Sequence, residues 1–296
     1  MRVVIAGATG FLGTHLSDHL RVHGHEVTAL VRGVPTSAHQ SQWDPSTGCI
    51  DTDLVVRADA VVNLAGSSLI GNPHSKKWAD KAMESRVSTT SLLARTIAAA
   101  ERPPAFLAGN GISWYGDHGK APVTEDCDST GDGFLTRVAR EWESATDAAR
   151  EAGARVCLLR TAPVMDRTSP PLKQLRLLFQ AGGGARLGSG EQYMPMISLR
   201  DWTGAVSYLI ESRDVSGAFN LCCPRTPTNA EFTQALAKAV HRKAFLAVPS
   251  AVMRAAAGDL APEVLGSINS RPAALERAGY DFEDEDVREV LAAALA

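Results

Sequence analysis

Arg2-Val3-Val4-Ile5-Ala6-Gly7-Ala8-Thr9-Gly10-Phe11-Leu12-Gly13-Thr14-His15-Leu16 opens the chain, and its reading decides the fold. Val3 to Ala6 is an unbroken apolar run, the pattern of a strand covered on both faces. Three glycines follow at intervals of three, and then Leu12, Leu16 and Leu20 recur every four residues until Gly24 offers a helix stop. The order is strand, tight turn, helix. The first N–H groups of such a helix have no partner within it, and glycines let a phosphate approach the backbone closely.

Working outward, Val27–Val31, Ala60–Leu64, Phe106–Ala108 and Val156–Leu159 read as further buried strands. Trp78 to about Ala100 is rich in helix formers, and Phe134, Leu135, Val138, Trp142 and Ala145 mark a second apolar stripe. Strands alternating with helices predict an α/β protein with a Rossmann-like, doubly wound parallel sheet. In that context the glycine triplet is a dinucleotide fingerprint, with Gly7, Thr9, Gly10, Phe11, Leu12 and Gly13 as the expected phosphate-binding turn.

The base of the second strand's exit selects the dinucleotide. An acidic residue about 20 positions past the fingerprint binds a ribose 2′-hydroxyl, whereas a cation there suits a 2′-phosphate. Val31 is followed by Arg32, 19 positions after Gly13, and no Asp or Glu competes for the place. The reading is NADP(H) in preference to NAD(H), against the alternative that Arg32 is a solvated surface charge.

The rest of the composition excludes several classes. The 296 residues are 45% hydrophobic and 21% charged, with a formal charge of −3 and no long block of one sign, so nucleic acid and anionic membranes are not expected partners. The five cysteines include no C-x-x-C pair, which points away from disulfides and zinc and towards the reducing cytoplasm. Cys222-Cys223 reads as core. His15, His19 and His23 share a helix face, but no carboxylate or cysteine completes a metal site there, and none is expected. After Arg160 the rhythm breaks at Pro163, Pro170-Pro171 and Gly182-Gly183-Gly184. The expected division is a cofactor domain over 1–165, rejoined by the chain around 198–225, and a smaller substrate-side region over 166–296. Beyond Pro227 this region is mostly alanine-rich helix.

Gly7-Ala8-Thr9-Gly10-Phe11-Leu12-Gly13 together with Asn63-Leu64-Ala65-Gly66 resembles the extended or atypical short-chain dehydrogenase/reductase superfamily. More narrowly, the chain resembles the sugar-nucleotide epimerase-like family that carries a C-terminal domain of unknown function. Trp43-Asp44-Pro45, Ser85-Arg86-Val87, Trp142-Glu143, Leu187-Gly188-Ser189-Gly190-Glu191-Gln192, Thr228-Asn229-Ala230-Glu231-Phe232 and Val248-Pro249-Ser250 carry the likeness in order along the chain. The resemblance implies that Leu64, Ala65 and Gly66 line the adenosine side. It implies further that Lys81 and Arg86 approach the cofactor, and that Pro163 and Val164 flank the nicotinamide.

The chain departs from that superfamily at its chemistry. The usual acid/base device is Tyr-x-x-x-Lys, in which the ammonium lowers the tyrosine pKa. None of Tyr115, Tyr193, Tyr208 and Tyr280 has a lysine four residues on, and Gly133–Arg140, where the pair belongs, holds neither residue type. Ser113, Tyr115 and Asn110 are the substitute hydrogen-bond donors, and Gln192 and Tyr193 the expected substrate contacts on a glycine-rich rim. Glu125 and Asp126 read as loop structure. Where relatives carry a Trp-Ile-His-Ile-Asp run, this chain has Met196-Ile197-Ser198-Leu199-Arg200-Asp201. Two functions remain open: an NADP(H)-dependent enzyme of the epimerase/reductase type acting on a small molecule, and a non-catalytic NADP(H)-binding regulator or scaffold.

Overall fold

Val3, Val4, Ile5 and Ala6 are at most 2% exposed and form Arg2–Ala6, an interior strand of a seven-stranded sheet. The computed structural model describes residues 1–69 and 71–296. Across the sheet the strands run Gly217–Leu221, Val156–Thr161, Ala105–Gly111, Ala60–Asn63, Arg2–Ala6, Glu26–Val31 and Gln40–Gln42. The pairings on either side of the first strand are parallel, with Ala6 opposite Leu30 and opposite Asn63. This is the doubly wound arrangement the alternation predicts. The order reverses beside Arg2–Ala6, where the connections leave in opposite directions, and in sheets of this kind ligands bind outside the carboxyl ends of the strands at such a point.

Local chemistry fixes the helix boundaries. The helix Lys76–Ala98 begins where Ser75 Oγ accepts the Trp78 N–H at 3.3 Å. Asn229–Ala239 begins with a capping box: Thr228 Oγ1 accepts the Glu231 N–H, and the Glu231 carboxylate accepts the Thr228 N–H. Thr228→Ala is expected to lower stability by about 1 kcal/mol, measurable as a fall of a few degrees in thermal midpoint. The edge strand Gln40–Gln42 lacks any apolar residue, so no hydrophobic period marks it.

The chain forms two compact units, each assembled from three separate segments. One comprises Met1–Asn110, Arg140–Leu159 and Val206–Ala218, and the other Gly111–Ala139, Arg160–Ala205 and Phe219–Ala296. The first is built on Val4, Leu30, Val61, Leu93, Ile97, Phe106 and Leu158. The second has a core of Met165, Leu172, Phe179, Met196, Phe232, Leu236, Val290 and Leu291. A smaller cluster in that unit contains Ile112, Tyr115, Val123, Ala162 and Cys222. Residues 111–139 join this second unit because their turn and strand bond to its late segments, as where the Arg271 N–H meets the Val123 carbonyl at 2.8 Å. Cys222 and Cys223 are both fully buried, in keeping with their reading as core.

Candidate functional site

Gly7 follows the first strand with φ +82°, a conformation that a side chain disfavours. A Cβ there would lie 2.7 Å from the Leu64 carbonyl, because the turn after the first strand packs on the one after Ala60–Asn63. Gly10 N–H donates to the Gly7 carbonyl at 3.0 Å and closes the turn. Gly10 then caps the helix Phe11–Val22 without a side-chain hydrogen bond, and the first helical turn carries no acid. The first N–H groups and the positive end of the helix dipole are thus open to an anion. Thr9 and Gly10 are exposed at the mouth, Phe11 and Leu12 are half-buried, and Gly13 is buried against the Gly7 backbone.

The strand register places Val31 and Arg32 at the same sheet edge as Gly7. Val31 is half-buried, and Arg32 is exposed and has no ion-pair partner among the described residues. On the other side, the segment after Asn63 is tied to the helix Lys76–Ala98 by its own polar groups. Ala65 N–H donates to Asn63 Oδ1 at 3.0 Å, and Ser67 N–H donates to Ser85 Oγ at 2.9 Å. Asn63 Nδ2 donates in turn to Thr90 Oγ1 at 2.8 Å. Gly66 is exposed, and Arg86 lies against it, its Cζ 3.3 Å from where a Gly66 Cβ would be. Arg86 is only 9% exposed, and burial alone pulls it down to about 10, so it stays cationic at neutral pH. Lys81, by contrast, is a solvated side chain.

The turn Ile112–Tyr115 belongs to the second unit. Tyr115 is fully buried: its hydroxyl donates to Asn220 Oδ1 at 2.8 Å and accepts from Arg160 Nη1 at 2.8 Å. Burial pushes the phenol up to about 12 despite the Arg160 charge. Both bonding directions of the hydroxyl are therefore used inside the protein, which suits an anchor for the turn better than a donor to substrate. Arg160 also sits 3.5 Å from the Trp114 ring centroid. Ser113 is half-buried, with Oγ donating weakly to the Leu135 carbonyl at 3.4 Å, and Asn110 is 4% exposed.

Glu125 is a clamp within the loop region: its carboxylate accepts the N–H groups of Asn220 at 2.9 Å and Ala274 at 3.1 Å, and burial raises its pKa. Gln192 turns its amide inward to the Leu187 carbonyl at 3.0 Å, and the Tyr193 N–H donates to Ser267 Oγ at 3.0 Å. Pro163 is exposed and Val164 buried, paired with Ile197 in a short parallel ladder. Ser198 Oγ accepts the Asp201 N–H at 3.2 Å at the start of the helix Leu199–Glu211. Sequence reasoning missed the partners of Arg86. Its guanidinium Cζ lies 5.2 Å from the centroid of the Trp142 ring, and a separation of 56 positions along the chain hides that contact from any local pattern.

A parallel sheet in this order, with a glycine turn opening an uncapped helix at its switch point, defines an α/β protein of the dinucleotide-binding class. The chain belongs to the NAD dependent epimerase/dehydratase family, whose model matches residues 3–222. Residues 248–294 match a second family, described as a domain of unknown function. Both findings bear out the resemblance carried by the motifs. An epimerase family protein of Mycobacterium leprae is 39% identical over 290 residues, spanning 98% of this chain and 94% of that protein. The human epimerase family protein SDR39U1, solved with NADPH, is 30% identical with a TM-score of 0.87 over 99% of both chains. A nucleoside-diphosphate sugar epimerase from Corynebacterium glutamicum is 31% identical with a TM-score of 0.81, covering 100% of this chain and 58% of its own.

Proposed function

We propose that this protein binds NADP(H) and uses it in an oxidoreduction or epimerisation of a small molecule. The observation that carries the reading is the open anion seat at Gly7–Gly13, with Arg32, which has no ion-pair partner among the described residues, at the same sheet edge. The human relative solved with NADPH supports the choice of dinucleotide. When bound, the cofactor supplies a hydride donor or acceptor. The residues of this chain bind and orient it. The helix N-terminus and the turn take the diphosphate, and Arg32 meets the adenosine 2′-phosphate. Leu64, Ala65 and Gly66 flank the adenosine, with Lys81 and Arg86 adding positive charge. Asn110, near the end of its strand, and Ser113, in the turn Ile112–Tyr115, are the candidate hydrogen-bond donors to a substrate, and Tyr115 holds that turn in place.

The absence of Tyr-x-x-x-Lys, together with the full engagement of the Tyr115 hydroxyl, favours one second reading: a regulator that binds NADP(H) without consuming it. Titration of nucleotide-free protein with NADPH and NADH, in wild type and Arg32→Ala, tests the shared part. NADPH is expected to bind at least about tenfold tighter than NADH, a difference of roughly 1.4 kcal/mol. Arg32→Ala should erase that preference and leave NADH affinity unchanged. Equal affinities in the wild type would remove Arg32 from the cofactor site. Oxidation of NADPH in a panel of carbonyl metabolites selects the enzyme; tight binding with no turnover across the panel selects the regulator.

A further inference from the structure

We propose that Trp142 is a positioning residue: it fixes the plane of the Arg86 guanidinium so that its free N–H groups meet a phosphate of the dinucleotide. This inference rests on the NADP(H) reading above.

A guanidinium taken out of water without a counter-charge is costly, and such groups are almost always paired. Arg86 is not paired in that way. Among the described residues no carboxylate bridges it, and its one hydrogen bond runs from Nη1 to the Ala82 carbonyl at 2.9 Å, within its own helix. A guanidinium carries five N–H donors in a fixed fork, so most of its capacity is unspent on protein acceptors. The charge is compensated on one side only, by the π-face of Trp142 within cation–π range. An anion with several oxygens would complete the other side.

Trp142 is itself held by hydrogen bonding. Its Nε1–H donates to Thr90 Oγ1 at 2.8 Å, the same oxygen that accepts from Asn63 Nδ2, and Asn63 Oδ1 accepts the Ala65 N–H. From Ala65 the chain leads to Gly66, against which Arg86 lies. Asn63, Thr90, Trp142 and Arg86 therefore form one ring of contacts that begins and ends at the segment packed on the Gly7 turn. The indole is oriented by Thr90 and the guanidinium by the indole. The fork is set in advance, and less rotamer freedom is lost when the ligand arrives.

The test is a double-mutant cycle on NADPH affinity, with thermal melts to verify that each variant is folded. Arg86→Ala is expected to weaken NADPH about tenfold or more, and Trp142→Leu several-fold. The double variant should bind no more weakly than Arg86→Ala alone, because Trp142 acts only through Arg86. Trp142→Phe keeps an aromatic face but loses the Thr90 bond, and should fall between wild type and Trp142→Leu. NADPH should also quench less of the intrinsic fluorescence in Trp142→Phe than in wild type. Additive losses in the cycle, or a Trp142→Leu that binds as wild type does, overturn the positioning role while leaving the cofactor reading intact. Wild-type affinity in Arg86→Ala overturns it as well. Failure of wild-type protein to bind NADPH is the separate result that removes the parent reading.

Discussion

Gly13→Ala is expected to lose NADPH binding by more than 100-fold, an effect on the order of 3 kcal/mol, while the protein keeps its secondary structure. A Cβ at this position would lie 2.1 Å from the Gly7 carbonyl oxygen and 2.7 Å from the Ala8 Cα. Both are backbone atoms, so no side chain can swing aside. The Phe11–Val22 helix must instead shift away from the turn, and overpacking of that kind costs about 1–3 kcal/mol in stability. The Gly10 N–H to Gly7 carbonyl bond and the aim of the first helical N–H groups change with it. Calorimetric titration beside a thermal melt separates the two effects. A folded Gly13→Ala protein that binds NADPH like the wild type would show that the diphosphate sits elsewhere.

Arg200→Ala is the second large effect, and it falls on stability. Asp284 has a fully buried side chain whose two oxygens accept from Arg200 Nε at 2.7 Å and Nη2 at 2.5 Å. Removing the arginine leaves a buried carboxylate without its counter-charge, expected to cost on the order of 3 kcal/mol at neutral pH, the lower end of the range because Arg200 is 49% exposed. Burial pushes the Asp284 carboxyl up, but hydrogen bonds from Arg200 and Ser198 and the Arg200 charge outweigh it, so its pKa lies below the ordinary 3.8. A depressed carboxylate contributes stability that is present above its unfolded pKa and lost as pH falls through its folded one. The gap between wild type and Arg200→Ala should therefore be full at pH 7 and close below about pH 4. Asp201 is shifted oppositely, raised first by burial, so its protonation on acidification favours the folded state in both proteins. The difference between the two melting curves cancels Asp201 and reports Asp284 together with the more exposed Glu283, whose carboxylate lies 3.0 Å from Arg200 Nη1. A gap independent of pH would assign the loss to packing of the Arg200 stem.

How much of this was legible in the sequence depends on the range over which each feature acts. The Gly7–Gly13 turn was readable because everything that makes it sits between Val3 and Leu20: an apolar strand, glycines at spacing three and a leucine stripe. The helix expected from Trp78 to about Ala100 is observed as Lys76–Ala98, since caps and periodicity are local too. The edge strand Gln40–Gln42 was not readable, because its pairing with Ala29–Val31 owes nothing to apolar alternation. The ladders Val164–Met165 with Ile197–Ser198 and Ala185–Leu187 with Leu246–Val248 are too short to show a period.

At the site the division is similar. Arg32 and Arg86 could be singled out from position and motif, but not that one is exposed and the other buried. Tyr115 looked like a free phenol because Arg160 and Asn220 lie 45 and 105 residues away. Glu125, read as part of a loop, binds backbone that arrives 95 and 149 residues later. Each of these depends on what the fold brings alongside, which residue type and spacing do not encode.

The interleaving of the two units bears on how the chain acquires its structure during synthesis. The first unit is complete only when Val206–Ala218 has been made, although it begins at Met1. By then Gly111–Ala139 and Arg160–Ala205 have left the ribosome, and they still await Phe219–Ala296. Neither unit can mature first and hand a finished surface to the other, as domains strung one after another can. A nascent chain halted anywhere before residue 218 exposes an unfinished sheet, with the strand edge meant for Gly217–Leu221 open to unwanted pairing. Completion of the unit that carries the Gly7–Gly13 turn is thereby deferred to the last quarter of translation, even though those glycines are among the first residues made.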